Sequence, residues 1–295
     1  MSFFQAVVIG LFQGVSELFP ISSLGHTVLI PKLFGWNNLV KSESASESFY
    51  LAFIVGLHVA NALALLLFFW RDWVRIIGAF FHTLRTRKVE TSSERLAWLI
   101  VLASIPAGIL GLAFEHRLRT LLAKPLAAAV FLMVNGLILL AGERLRRRSA
   151  VRELAAREGL EPDGGRRLDT MEYREAGIIG LFQSLALIAG ISRDGIVMTA
   201  GLLRGLDHED SAKFAFLLAT PIIFAAGIYK AGDLFGANGS GVRGQVLVGA
   251  AVTFVASLVT VRFLMRYFRT NTLTPFAIYC LIFGGFMVVF VGLGA

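Results

Sequence analysis

Six stretches of the chain contain no Asp, Glu, Lys or Arg: residues 49–70, 96–114, 125–142, 214–229, 244–261 and 273–295. Each is close to the ~17–25 apolar residues that a membrane-spanning helix needs. None shows the polar stripe at helical period that marks a core helix of a soluble protein. Two further segments, 1–35 and 176–203, are apolar but interrupted. The first breaks at Glu17, Pro20, Ser22, Ser23, Gly25 and His26, the second at Gly190, Ser192, Arg193, Asp194 and Gly195. A charged or broken backbone at membrane depth is tolerated only where it is buried in protein or lines a cavity. The pattern predicts an all-α polytopic membrane protein with six transmembrane helices.

The two interrupted segments are related. Residues 9–13 and 179–183 both read IGLFQ. At the same offset Ile21-Ser22 matches Ile191-Ser192, and Gly25 matches Gly195. A weaker echo, SFYLAF from Ser48 and SAKFAF from Ser211, follows. The chain therefore reads as one integral membrane domain of two repeats, about 1–142 and 176–295, joined by a charged connection over 143–175. If both interrupted segments are re-entrant helix pairs, three spans separate them. The repeats then have inverted topology, with tips meeting near the midplane. If both cross fully, the repeats are parallel. Re-entrance also places Arg204, Lys213 and Arg269 with the other basic residues, and is the reading adopted. The first pair then enters from the outer face and the second from the cytoplasmic face.

Composition agrees. Hydrophobic residues make up 56% of the chain and charged ones 16%, against about 25% charged in soluble domains; the mean hydropathy is +0.71. The net charge of +8 does not point to nucleic acid. The basic residues lie in a few loops between apolar spans, 71–95 and 143–175 foremost, as the positive-inside rule produces, so both of these loops are expected to be cytoplasmic. A Gly/Pro/Asp cluster at Glu161–Gly165 marks the second as a solvated linker with some helical content. The start of the chain lacks the basic n-region of a cleavable leader. The single cysteine, Cys280, lies in an apolar span and makes no intrachain disulfide.

From Glu17 to His26 the first interrupted segment holds a carboxylate, two hydroxyls and an imidazole. Gln13 and Glu17 share a helix face. Pro20 ends or kinks that helix, and Ser22 or Ser23 can cap the next. Ser22 and Ser23 lie four and three residues before His26, so either pair can meet on a helix. The bland alternatives are capping serines and an interfacial histidine. Glu17 is expected to be functional or ion-paired, because an unpaired carboxylate there is costly. In the second segment, glycines flank Ser192-Arg193-Asp194, and a helix starting after Gly195 would aim its N–H groups at an anion. Arg193 is a planar cationic fork suited to phosphate; the alternative is a local ion pair with Asp194 or Glu17. Together these groups suit phosphoryl transfer, with Mg²⁺ or Ca²⁺ as the hard cation. No zinc-type cluster and no P-loop is present. His58 and Asn61, one turn apart, either line the same cavity or bond helix to helix.

QGVSELFPISSLGH at 13–26 and AGISRDG at 189–195 resemble the two signature motifs of the undecaprenyl-diphosphatase, or bacitracin-resistance, family. The resemblance covers nearly the whole chain, including the His58 span, residues 173–187 and PFAIY at 275–279. It implies a multi-pass enzyme of the bacterial plasma membrane that removes the terminal phosphate from undecaprenyl diphosphate, its site facing outward. That reaction recycles the lipid carrier of peptidoglycan synthesis. The implied fold has six spans and two re-entrant pairs in an inverted repeat. By motif match Glu17, Ser23, His26 and Arg193 are catalytic candidates. Gln13, Ser22, Gly25, Ser192, Asp194 and Gly195 are substrate-binding candidates. A divalent cation would rest on Glu17 with Gln13 or Asp194. The partners implied are the polyprenyl diphosphate and membrane lipids, with no nucleic acid; a homodimer is left open. The chain departs from the family at Gln13 (often Glu), Ala189 (usually Pro), Asp194 (commonly Ser), Val197 (often Thr) and Cys280 (expected Arg). The rival functions are an inverted-repeat transporter or flippase of a lipid phosphate or small anion, and a non-catalytic lipid-binding partner. Neither needs a nucleophile. Ser23, His26 or water can attack phosphorus on this reading.

Overall fold

The computed structural model describes residues 1–36, 38–39, 49–122, 124–156, 168, 171–229 and 241–293. Among these residues the chain is helical, with no strand. Helices α1 (Phe3–Ser16) and α2 (Ser23–Leu33) come first. They are followed by α3 (Phe49–Phe68), α4 (Trp70–Thr86), α5 (Ser92–Leu122) and α6 (Pro125–Ala156). The second half runs α7 (Tyr173–Gln183), a 3₁₀ turn (Ser184–Leu187), α8 (Arg193–Leu203), α9 (His208–Tyr229), α10 (Arg243–Tyr267) and α11 (Thr274–Gly292). Helices α3, α5, α6, α9, α10 and α11 are long and apolar enough to cross a membrane, and each takes up all or most of one of the six uncharged stretches. One expectation changes: most of the basic stretch 71–95 is not a loop but helix α4. The connection after 142 begins as a continuation of α6 to Ala156, in keeping with the helical content expected there. The cluster at Glu161–Gly165 and the echo at Ser48 lie outside the described residues.

The repeated pentapeptide has a packing role in both copies. A Cβ on Gly10 would stand 2.7 Å from the Gly249 carbonyl oxygen of α10, and one on Gly180 would stand 2.4 Å from the Ala103 carbonyl oxygen of α5. Small residues let helix backbones approach closely where no hydrophobic effect drives helices together. Thus α1, from the first half, lies on α10 of the second, and α7, from the second, lies on α5 of the first. Thr253 Oγ1 donates to the Gly10 carbonyl at 2.9 Å. Gln183 Nε2 donates to the Ala103 carbonyl at 2.6 Å.

The two interrupted segments are hairpins that begin at opposite ends of the bundle. At one end Gln245 Nε2, at the start of α10, donates to the Met1 carbonyl (3.1 Å). Trp36, just past α2, returns to the Phe4 ring at 6.3 Å. At the other end Arg95 Nε, near the start of α5, donates to the Met171 carbonyl (2.9 Å) beside α7, and α9 starts five residues after α8 stops. Arg269, just past α10, pairs with Glu209 near the start of α9 (3.2 Å). The 25 residues of α10, about 37 Å of helix, therefore separate the two entry points. A buried carboxylate ties the basic end together. Glu143 Oε1 lies 2.6 Å from His208 Nε2 and accepts the Leu273 N–H at 2.7 Å, joining α6, α9 and α11.

Gly190 is the tightest point of the second hairpin. Its φ is +105° and a Cβ there would lie 2.4 Å from the Ala128 carbonyl oxygen. Gly190→Ala combines a strained backbone, about 1–3 kcal/mol, with a clash against backbone that cannot yield. We expect a loss of thermal stability larger than for Gly285→Ala, where a Cβ meets open space. Equal thermal midpoints for the two variants would contradict this packing.

Candidate functional site

The two hairpin tips meet. After α1 the chain makes a short irregular turn through Pro20 and reaches Ser22 at φ +67°, a conformation that costs a non-glycine residue of order 1–3 kcal/mol. There the Ser22 hydroxyl accepts the Gly25 N–H at 3.2 Å, capping α2. It also accepts the Gly190 N–H of the other tip at 3.1 Å. Ser192 repeats the cap in the second hairpin, accepting the Gly195 N–H at 3.1 Å. A Cβ on Gly25 would lie 3.1 Å from Gly190 Cα, and one on Gly195 would lie 3.3 Å from Pro20 Cβ. Glycine at 25 and 195 thus lets the tips interlock, and Ser22 serves as a cap and a bridge.

The charges converge across this junction. Arg193 donates through NH2 to Glu17 Oε1 at 3.0 Å and through Nε to Asp194 Oδ1 at 3.2 Å. Both ion pairs that the sequence offered as alternatives exist together. Gln13 Nε2 donates to Glu17 Oε2 at 2.9 Å, and His58 Nε2 approaches the same oxygen at 3.4 Å. Ser23, at the start of α2, lies beside the Glu17 carboxylate. Ser23, Arg193 and His58 are half-buried, whereas Glu17, Gln13 and Asp194 are buried. The open side of the junction is therefore that of Ser23, the guanidinium and the imidazole.

His26 is placed differently from the expectation. Its Nδ1 lies 2.7 Å from the Ser22 carbonyl, which can only accept, so Nδ1 carries the proton. Its Nε2 lies 2.8 Å from the Tyr279 hydroxyl, and the ring stacks near Tyr279 and Phe283. Both ring nitrogens are thus engaged by groups other than a serine hydroxyl. The pairing of His26 with Ser22 or Ser23, drawn from helical spacing, is replaced by a bond to backbone because Ser22 already caps α2.

His58 and Asn61 also part company. His58 joins the site, whereas Asn61 Oδ1 accepts from Ser257 Oγ on α10 and is a helix-to-helix bond. Thr199, the residue weighed as a substitute for the hydroxyl missing at Val197, packs against Gly142 of α6. Cys280 is buried and lies 3.4 Å from Asn135 Nδ2.

Asn135 of α6 is the member that sequence reasoning missed. Fully buried, it donates from Nδ2 to the Pro20 carbonyl at 2.9 Å, and its Oδ1 accepts the Ser192 N–H at 2.9 Å. Its side chain therefore holds one backbone group from each tip. The available signal was an amide inside an otherwise apolar span. Tyr279, the last residue of PFAIY, is a second missed member: nothing in the motif signals its contact with His26.

Among the described residues no three His, Cys, Asp or Glu side chains form a ready-made metal cage. Oxygen ligands are nevertheless at hand. Gln13 Oε1 and Asp194 Oδ2 are buried without a hydrogen-bond partner, and buried polar atoms normally have one. With the Glu17 carboxylate they make an oxygen donor set of the kind Mg²⁺ or Ca²⁺ prefers. The donors fit the cation that the motifs imply.

Known proteins match this chain along its length. It is 55% identical to undecaprenyl-diphosphatase 2 of Frankia alni, with 98% of each chain covered. It is 56% identical to the undecaprenyl-diphosphatases of Mycolicibacterium paratuberculosis and Mycobacterium avium, covering 99% of this chain and 98% of each relative. The family model for the bacitracin resistance protein BacA matches residues 6–286, a range that takes in nearly all of both hairpins and of the six long apolar helices, and the chain belongs to the BacA family.

Proposed function

We propose that this protein hydrolyses undecaprenyl diphosphate, releasing inorganic phosphate and leaving undecaprenyl phosphate. The observation that carries the reading is the junction of the two tips, where the Arg193 guanidinium stands against Glu17 and Ser23, at the start of α2, lies beside the same carboxylate. A fixed cationic fork, a hydroxyl and an acceptor for its proton are the parts that phosphoryl transfer from a diphosphate requires. The names of the relatives support the same substrate. In this reading the hairpins are re-entrant, the halves form an inverted repeat, and the bundle sits in a bacterial plasma membrane with the tip junction open to the outer side. The opposed entry points of the hairpins and the gathering of basic residues at one end favour this arrangement.

The chemistry follows from the contacts. Arg193 binds the terminal phosphate with the donors its two carboxylates leave over. The Ser23 oxygen attacks the terminal phosphorus while Glu17 accepts the hydroxyl proton. The anhydride P–O bond breaks, polyprenyl phosphate leaves and the phosphoryl group remains on Ser23. Glu17 passes that proton to the departing phosphate oxygen and is free again as a base. Water then attacks the phosphorus on Ser23 while Glu17 accepts a proton from it, and the P–O bond to Ser23 breaks as Glu17 returns that proton to the serine oxygen, releasing inorganic phosphate. A divalent cation, held by Glu17 with Gln13 or Asp194, would supply further neutralisation of phosphate charge. His26 fixes the first tip by its bond to the Ser22 carbonyl and is less suited to attack, since both ring nitrogens are occupied.

Purified protein given polyprenyl diphosphate should release phosphate and, on rapid acid quenching, yield an acid-stable phosphoserine. Ser23→Ala should lose both. An acid-labile phosphohistidine would transfer the nucleophile to His26. Wild-type phosphate release by Ser23→Ala would leave direct attack by water, and no release by the unaltered protein would overturn the proposed function.

A further inference from the structure

Helix α4 is not among the six long apolar helices, and none of its side chains enters the tip junction. It nonetheless has an ordered surface. At 3.6 residues per turn its seventeen residues divide into three faces. Ile76, Phe80 and Thr83 turn toward α5, where Thr83 Oγ1 accepts from Trp98 Nε1 at 3.0 Å and the Phe80 and Trp98 rings lie 5.3 Å apart. Trp70, Val74, Ile77, Phe81 and Leu84 recur at i, i+4, i+7, i+11 and i+14 to make a second face. Each of these is between 47% and 65% exposed. Arg71, Arg75, His82 and Arg85 make the third, with the Arg71 guanidinium 5.4 Å from the Trp70 ring centroid.

The acids near this helix are accounted for. Asp72 pairs with Lys213 of α9 at 3.0 Å and with Arg75 at 3.1 Å. Glu94 pairs with His82 at 2.7 Å, and Glu90 lies 3.8 Å from Lys88. Among the described residues, no acid stands within ion-pair distance of Arg71 or Arg85. The Asp72–Lys213 and Thr83–Trp98 bonds fix α4 across the starts of α9 and α5, at the basic end of the bundle.

A helix with one face on protein, one apolar and one cationic has the pattern of an interfacial helix, lying with its apolar side in the acyl boundary and its basic side among headgroups. We propose that α4 lies in that boundary at the basic end and selects anionic phospholipids, Arg71, Arg75 and Arg85 binding their headgroups. Charge complementarity identifies the occupant: a zwitterionic surface would satisfy the apolar face and leave the arginines without counter-charge. This inference is independent of the reaction at the tips.

The test compares phosphatidylglycerol with phosphatidylcholine retained by the purified full-length protein, read by native mass spectrometry. Each basic residue near an anionic surface contributes about fivefold in affinity. The triple variant Arg71→Gln, Arg75→Gln, Arg85→Gln should therefore lose phosphatidylglycerol preference by about tenfold or more, with phosphate release unchanged. The corresponding Arg→Lys triple keeps the charge and should keep the preference, which separates lost charge from lost folding. A second triple at the same end but away from α4, Arg144→Gln, Arg147→Gln, Arg266→Gln, should retain it. Unchanged preference in the α4 glutamine variant, or an equal loss in the second triple, would overturn the proposal.

Discussion

Arg193→Lys folds and lowers kcat for phosphate release by about 10²- to 10³-fold, the loss expected when one preorganised transition-state donor is removed. The guanidinium is held at two corners, by Glu17 at 3.0 Å and Asp194 at 3.2 Å. Its side chain is only 15% exposed. A lysine ammonium keeps the positive charge between those carboxylates but replaces a rigid five-donor fork by a point charge. It cannot span both acids and still offer two parallel donors to a phosphate. Arg193→Ala differs in kind, because it leaves Glu17 and Asp194 buried without their cation. Removing one partner of a buried ion pair costs about 3–5 kcal/mol, so the alanine variant should lose stability as well as activity. Initial rates across a substrate range together with thermal midpoints separate the two effects. A lysine variant with wild-type kcat would remove Arg193 from the reaction and leave it a structural cation.

Much of this arrangement is legible in the sequence because it is written in local patterns. The long apolar helices follow from uncharged stretches, and the duplicated IGLFQ exposes the two hairpins. The break after Pro20 offers Ser22 or Ser23 as the first cap, and Ser22 takes it; the second helix, expected after Gly195, instead starts at Arg193 because Ser192 caps it. Glu17 and Arg193 could each be suspected of needing a partner, since a lone buried charge is costly, although nothing local said that the partner lay 176 residues away. What was not legible depends on tertiary register. Spacing alone put His26 beside a serine hydroxyl, whereas its ring turns to Tyr279, 253 residues distant. The basic residues of α4 concealed an apolar period at 70, 74, 77, 81 and 84, because charge density suggested a loop. The two copies of Gln in the pentapeptide look equivalent, yet Gln13 faces Glu17 while Gln183 holds the Ala103 carbonyl. Repetition fixes the position along the helix; the facing element decides the use.

Asn135→Leu should reduce kcat about 10²-fold, the penalty of misplacing reacting groups by roughly an ångström, and should do so without altering any residue that touches substrate. The Pro20 carbonyl and the Ser192 N–H both lie at helix breaks, where the backbone offers them no regular partner. A buried backbone group left unsatisfied costs about 1–3 kcal/mol. Asn135 serves one with its N–H and the other with its oxygen, a combination that an amide side chain can provide and a charged carboxylate cannot. Leucine fills similar space but orphans both groups, so the tips are free to shift and Arg193 loses its alignment with Ser23. Asn135→Asp isolates half of the clamp. It keeps an acceptor for Ser192 and presents a second acceptor to the Pro20 carbonyl, so the first tip is repelled while the second stays held. We therefore expect kcat to fall in both variants, further in leucine, with KM changing less than kcat because Arg193 still meets the phosphate. Thermal midpoints should fall by an amount that does not track the activity loss when Asn135→Leu is compared with Gly190→Ala. If Asn135→Leu loses stability and keeps kcat, the amide merely stabilises the junction. If it loses kcat out of proportion to stability, α6 is the ruler that sets the distance between the nucleophile on one tip and the phosphate clamp on the other.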